Sequence, residues 1–322
     1  MIYDIGLLLL GLAVLFVGGE FLVKGSVGIA KSFRISPLVI GMTVVSFGTS
    51  APELLVSLQS ALGGNPGIAI GNVVGSNIAN IALVLGLTVI IFPIIPGKQT
   101  KRVDWPMLIF ATVLFVLFSL DGKIQLWEGA ILFCILIIFT TLLIVKSRKE
   151  VRTNADASKI ESVKHPIWLS VLFLFLGLAG LYFGCEWLID GAVNVAEALE
   201  MPDHVIGLTI VAFGTSAPEL VTSAVAAYRK QPDISLGNLL GSNIFNIMAV
   251  VGITGMAASE PNVLKVSDEV WSFDFWWMLG IAIGLGVMLF LGKKIGRVKG
   301  VILLLTYVAY ISILIYKASH QF

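Results

Sequence analysis

Charge is scarce in this 322-residue chain: 13% of its residues are Asp, Glu, Lys or Arg, against roughly 25% in soluble domains. That shortage, with 57% hydrophobic residues and a mean hydropathy of +0.96, excludes an ordinary soluble protein. Cysteine is nearly absent as well. Cys134 and Cys185 each sit inside an apolar run, which reads as small core packing rather than a disulfide framework. The three histidines, His165, His204 and His320, fall at span ends or the terminus, so no imidazole cluster offers itself to a metal. A net charge of +1 lacks the basic excess expected of a nucleic acid binder. HExxH, GxGD and DDxxD patterns are missing, which argues against an intramembrane enzyme. The N-terminus has no basic region and carries Asp4, so it reads as a first span rather than a cleaved signal.

What the chain has instead is apolar runs of about 20 residues, the length that crosses a bilayer as a helix. Ten are expected, near 4–31, 36–62, 66–92, 104–120, 124–146, 166–198, 202–228, 233–258, 270–292 and 298–316. The fold class is an all-α polytopic membrane protein, multi-pass in the cell (inner or plasma) membrane with the lipid bilayer as its surroundings. Of 21 basic residues, 17 lie in one set of loops and only Lys123, Lys265 and Lys317 in the other. Basic loops stay cytoplasmic, which places both termini outside. Residues 147–165 are polar and mixed in charge, as a cytoplasmic linker between 1–146 and 166–322 would be. A monomer suffices for this layout, and the oligomeric state is left open.

The chain also repeats itself. Gly48-Thr49-Ser50-Ala51-Pro52-Glu53-Leu54 returns as Gly214-Thr215-Ser216-Ala217-Pro218-Glu219-Leu220, 166 residues later. Gly71-Asn72, Gly75-Ser76-Asn77-Ile78 and Asn80 return as Gly237-Asn238, Gly241-Ser242-Asn243-Ile244 and Asn246 at the same offset. Between 35–54 and 201–220, 13 of 20 residues are identical. Five spans per half is an odd number, so the two five-helix repeats are inverted in the membrane. Inverted repeats meeting at the midplane, with discontinuous helices at the centre, are the architecture of many secondary transporters.

The repeated motif has the chemistry of a cation site. Pro52 and Pro218 lack an N–H, so the carbonyls of Gly48 and Gly214 lose their helical partners. Freed carbonyls at membrane depth need protein, water or an ion to satisfy them. Thr and Ser add neutral oxygens, and Glu53 and Glu219 supply carboxylates, which together form a hard-cation ligand set. A charged side chain at the bilayer centre costs at least about 2.5–3.5 kcal/mol and marks a functional candidate. The second motif is expected to unwind spans three and eight and to bring Ser76, Asn80, Ser242 and Asn246 opposite the glutamates. Asn77 and Asn243 are assigned to local hydrogen bonds. Two carboxylates balance one Ca²⁺ or two Na⁺, and oxygen-only ligation argues against zinc or copper.

GTSAPEL with GNxxGSNIxN in both halves resembles the two alpha-repeats of the cation/calcium exchanger superfamily, in its compact prokaryotic sodium/calcium exchanger branch. The resemblance covers essentially the whole chain. It implies ten helices with spans two, three, seven and eight broken at the centre, and spans one and six sliding past a fixed core. It implies Na⁺ and Ca²⁺ as competing transported ions and no other cofactor. By position, Glu53 and Glu219 match the central calcium ligands, and Thr49 and Thr215 match threonines offering backbone carbonyls. Ser50 and Ser216, completed by Ser76 and Ser242, match outer sodium sites. Ser46 and Ala212 stand where backbone carbonyls bind sodium, and Asn80 and Asn246 flank the middle. Many relatives carry Asp at the position of Asn246, and neutral Asn here implies K⁺ independence. Exchange of more than two Na⁺ per Ca²⁺ moves net charge, at about 2.3 kcal/mol per charge per 100 mV.

Two readings compete with Na⁺/Ca²⁺ antiport: a proton/calcium antiporter and a cation channel. Glu20 and Lys24, four residues apart in span one, are spaced to pair with each other, and two readings stay open: guards of the ion pathway, or a structural, snorkelling pair. The tryptophans sit mostly near span ends, as interfacial anchors do.

Overall fold

A computed structural model describes residues 2–153, 166–199, 212–258 and 263–320. These segments are mainly helical, joined by short loops, with a two-residue strand pair, β1 (Lys123–Ile124) and β2 (Leu264–Lys265), and a single bridge between Ile94 and Ile295. Helix α1 spans Ile2–Phe33. Helices α2 (Pro37–Thr49) and α3 (Ala51–Leu62) meet at a bend of 43°, the geometry of a broken span or a re-entrant loop. Helix α4 covers Pro66–Ile91, α5 Trp105–Phe118 and α6 Leu126–Thr153. The second half comprises α7 (Ile167–Ala198), α8 (Ala212–Thr215), α9 (Ala217–Tyr228), α10 (Pro232–Ala257), α11 (Val270–Phe290) and α12 (Arg297–His320). Seven of these are long and apolar enough to cross a membrane, or eight when the bent pair counts as one span. Residues 202–211 of the expected seventh span lie outside the described residues.

Burial separates centre from periphery. The most apolar stretches of α4 and α10 are 78% and 83% buried, against 28% and 22% for α1 and α7. The helices carrying GNxxGSNIxN are therefore the middle of the molecule. A large apolar core packs α4 and α10 against α5 and α11, and a smaller one lies between the α1–α7 pair and the bent helices. Lipid gives apolar side chains no reason to prefer protein to bilayer, so association rests on close packing. The α1–α7 seam illustrates this. A side chain added at Gly11 or Gly18 would come within 2.5 or 2.7 Å of the Leu188 or Leu181 backbone nitrogen, and one at Gly184 or Gly191 within 2.6 Å of Leu15 or Leu8. Each glycine of one helix thus seats a leucine of the other. The partners fall in reverse chain order, so two helices that are sequence repeats of each other run antiparallel.

In its helices the structure departs from the sequence expectations at two places. Spans three and eight are not unwound at GNxxGSNIxN. Both stay helical through the motif and widen into a π turn at Asn80–Leu85 and Asn246–Val250. Their prolines, Pro66 and Pro232, stand in the first helical turn, where no N–H bond is lost, so nothing inside the motif forces a break. Second, α6 continues to Thr153, into the segment expected as connector, with Lys146 and Glu150 paired across one turn at 3.9 Å. Trp105 begins α5 and donates its indole N–H to the Ala282 carbonyl at 2.9 Å.

Candidate functional site

The break in each half sits where the proline predicts it. Ser50, between α2 and α3, has φ −91° and ψ 5°, and Ser216, between α8 and α9, has φ −88° and ψ 0°. The same six-residue motif therefore makes the same turn twice. Each turn aims a glutamate from the first turn of the following helix into the centre, where Glu53 is 2% and Glu219 0% exposed. One freed carbonyl has found a partner: the Cys185 thiol of α7 donates to the Gly214 carbonyl at 3.1 Å. Cys185, expected as plain core, thus caps the broken helix.

The candidate ligands from the two halves converge. Ser50 Oγ donates to Glu219 Oε1 at 3.3 Å. Thr49 Oγ1 lies 3.3 Å from Ser242 Oγ and donates to Asn238 Oδ1 at 3.1 Å. Glu53 and Glu219 are near enough for their charges to interact. Thr215 and Ser76 line one cavity of about 180 Å³, together with Asn72, Tyr307 and Tyr310. Ser46 packs beside Gly241, next to Ser242, and its hydroxyl donates to the Thr43 carbonyl at 3.2 Å. Ala212 begins α8. Asn80 and Asn246 are buried on α4 and α10.

The feature that sets this cluster apart is what it lacks. Both carboxylate oxygens of Glu53, Oε2 of Glu219 and both amide atoms of Asn80 and Asn246 are buried without a hydrogen-bond partner. Among the described residues no cationic side chain pairs with either glutamate. Buried polar groups are normally satisfied, and a buried carboxylate left alone is unstable. A dehydrated cation among these oxygens would satisfy them together, and the donor set of carboxylate, hydroxyl, amide and carbonyl oxygens suits Na⁺ or Ca²⁺.

Sequence reasoning passed over four residues. Asn72 Nδ2 donates to Ser57 Oγ at 2.9 Å and to the Glu53 main-chain carbonyl at 3.2 Å. Asn238 Nδ2 donates to Ser223 Oγ at 3.2 Å. The two amide–serine bonds are repeats of one another at the offset of 166, which was the available signal. Asn243 donates locally to the Leu239 carbonyl at 2.7 Å, and Asn77 to the Met278 sulfur at 3.8 Å. The expected Glu20–Lys24 pair is not formed. Glu20 instead takes the Arg229 guanidinium at 2.7–2.9 Å, and Lys24 lies over the Phe173 ring. An i, i+4 pair on one helix face yields to a guanidinium fork that offers two hydrogen bonds.

Two repeated, proline-broken motifs that bring together buried carboxylates without a cationic partner among the described residues are the features of a membrane cation transporter rather than an enzyme. The sequence matches the sodium/calcium exchanger protein family over residues 3–145 and 169–316, and the chain belongs to that family. A chain named as an antiporter, CaxA of Alkalimonas amylolytica, is 37% identical over 94% of this chain and 95% of its own. The sodium/calcium exchanger MaX1 of Methanosarcina acetivorans is 31% identical over 96% and 98%. The solved structure of the sodium-calcium exchanger NCX_Mj soaked with Na⁺ and Ca²⁺ is similar with a TM-score of 0.83 at 34% identity, covering 97% of this chain and 98% of that one.

Proposed function

We propose that this protein is a secondary antiporter that exchanges Na⁺ for Ca²⁺ by alternating access, electrogenically and without K⁺. The observation that carries the reading is the pair of buried carboxylates, one from each half, with three of their four oxygens unpartnered. One Ca²⁺ or two Na⁺ balance that charge, so the two ions compete for one set of oxygens. Glu53 and Glu219 are assigned as calcium ligands. The Thr49 and Thr215 carbonyls, Ser50, Ser216, Ser76, Ser242, Asn80, Asn246 and the carbonyls of Ser46 and Ala212 complete the calcium and sodium positions. The antiparallel α1–α7 pair supports ten spans arranged as two inverted repeats, 1–146 and 166–322, with residues 147–165 cytoplasmic and both termini outside. The exposed apolar side chains of α1, among them Leu9, Leu10, Phe16 and Val17, suit contact with lipid in the inner or plasma membrane.

The test is ⁴⁵Ca²⁺ uptake into proteoliposomes loaded with Na⁺ and diluted into Na⁺-free buffer. Uptake is expected to require the Na⁺ gradient, to ignore K⁺, and to rise under an inside-positive potential. Uptake driven by a pH gradient and indifferent to Na⁺ would assign proton/calcium antiport instead. Calcium-carried current with no counter-ion would assign a channel.

A further inference from the structure

We infer that Ser223 and Asn238 are positioning residues that set the sodium affinity of the site from outside it, by fixing which way hydroxyl protons point. This rests on the proposed Na⁺/Ca²⁺ exchange. A hydroxyl binds a cation through its lone pairs, so its proton has to be placed elsewhere. Four buried groups form a chain that does this. Asn238 Nδ2 donates to Ser223 Oγ at 3.2 Å, which holds the amide with Oδ1 turned toward α2. Thr49 Oγ1 has two acceptors for its single proton, that Oδ1 at 3.1 Å and the Ser46 carbonyl at 3.4 Å, and the shorter contact is to the amide. Thr49 can then only accept from Ser242 Oγ, 3.3 Å away, so the Ser242 proton is also used. Ser242, the candidate sodium ligand, is left with lone pairs alone for an ion.

The chain crosses between halves, because Thr49 belongs to the first and the other three to the second. Ser223, Asn238 and Ser242 are all 0% exposed, so water cannot substitute for a missing link. The first half repeats the anchoring step, with Asn72 donating to Ser57 at 2.9 Å. Without the Ser223 acceptor the amide is free to flip. Its N–H then faces Thr49, whose proton turns to Ser242 at 3.3 Å or to the Ser46 carbonyl at 3.4 Å, and each time it goes to Ser242 the Ser242 proton is displaced into the ion's position.

The experiment uses full-length protein in proteoliposomes, with the Na⁺ dependence and Ca²⁺ dependence of ⁴⁵Ca²⁺ flux measured separately. Ser223→Ala is expected to raise the half-saturating Na⁺ concentration about three- to tenfold, the scale of one buried hydrogen bond, with the Ca²⁺ KM changed less than about twofold. Ser223→Thr, which keeps the acceptor, should restore the wild-type value. In an Asn238→Ala background Ser223→Ala should have no further effect, since it acts only through the amide. An unchanged Na⁺ dependence, equal shifts for both ions, or additive effects in the double variant would overturn the assignment. Equilibrium competition of Na⁺ against bound ⁴⁵Ca²⁺ in detergent reads the same shift without transport. A wild-type protein that binds both ions but does not exchange them refutes the antiport reading and leaves this one standing on the binding data.

Discussion

The two halves of this molecule carry the same motif and hold it differently. In the second half the carboxylate is tethered, with Ser50 donating to Glu219 at 3.3 Å. In the first half Glu53 has no partner for either oxygen, although Ser216 occupies the place equivalent to Ser50 and makes the same turn. Likewise the Gly214 carbonyl is capped by the Cys185 thiol, while the residue equivalent to Cys185 in α1 is Gly19, which has no side chain to offer. Under the proposed alternating access, one half moves against the other about a shared site, and we take the opposite-facing state to be the one in which each half adopts the other's contacts. On that reading, what is equivalent by sequence and different by contact marks what has to change.

The largest effect comes from the element the halves share. Glu53→Gln and Glu219→Gln should each abolish Na⁺-driven ⁴⁵Ca²⁺ uptake, because one remaining carboxylate cannot balance a divalent ion stripped of water. Uptake surviving in either variant would break the symmetry at its centre and the site assignment with it.

A smaller and more telling effect is expected where the halves differ. Ser50→Ala removes a bond to a charged group, worth about 1.5–3 kcal/mol and so roughly tenfold or more in affinity. It should act on Ca²⁺ entering from one face of the membrane. Ser216→Ala should act on the other, because its bond to Glu53 forms only when the halves have exchanged arrangements. KM values measured in membrane vesicles of both orientations separate the two. Equal effects of both variants on both faces would mean that the difference between the halves is incidental.

Much of this was legible in the sequence, for identifiable reasons. A proline inside an apolar run dictates a lost hydrogen bond whatever surrounds it, so the breaks at Ser50 and Ser216 could be read directly. The candidacy of Glu53 and Glu219 followed from the cost of burying charge, and the structure buries both. The behaviour of GNxxGSNIxN did not follow, because glycine and serine permit unwinding without forcing it. The amide chain through Asn238 was hidden for another reason: it joins Thr49 to Ser223 across the halves, and a repeat offset reports equivalence, not contact. Arg229 escaped notice because its partner, Glu20, is 209 residues away in the chain.

Asn246 sharpens the comparison from another side. Asn80 and Asn246 are equivalent amides, both buried and both unpartnered. Asn246→Asp leaves the shape alone and gives the second half a third carboxylate. The ionised form should hold its cations longer, so uptake by the variant is expected to fall relative to wild type as pH rises, by a few-fold at most. Wild-type uptake should show no response to K⁺. A variant whose ratio to wild type stays constant across pH would mean that position 246 does not face the ions.

The smallest effect belongs to a contact that exists in one half only. Glu20 on α1 holds Arg229, just beyond α9, through a fork of 2.7–2.9 Å contacts, and the carboxylate raises the guanidinium pKa above its ordinary value. The repeat equivalents of these residues are Glu186 and Gly63, so the exchanged arrangement has no corresponding pair. Under the proposed alternating access, the ion pair favours the arrangement seen here over the exchanged one. Both side chains are substantially exposed, so the bias is modest. Arg229→Gln should shift the ratio of the two access states by about two- to fivefold, the range of exposed ion pairs, and less at high salt. Glu20→Gln should match it, and the double variant should add nothing. The measurement is the ratio of Ca²⁺ KM values on the two membrane faces. If neutralising Arg229 leaves that ratio untouched while neutralising Glu20 changes it, Glu20 acts on the ions themselves and not through the guanidinium.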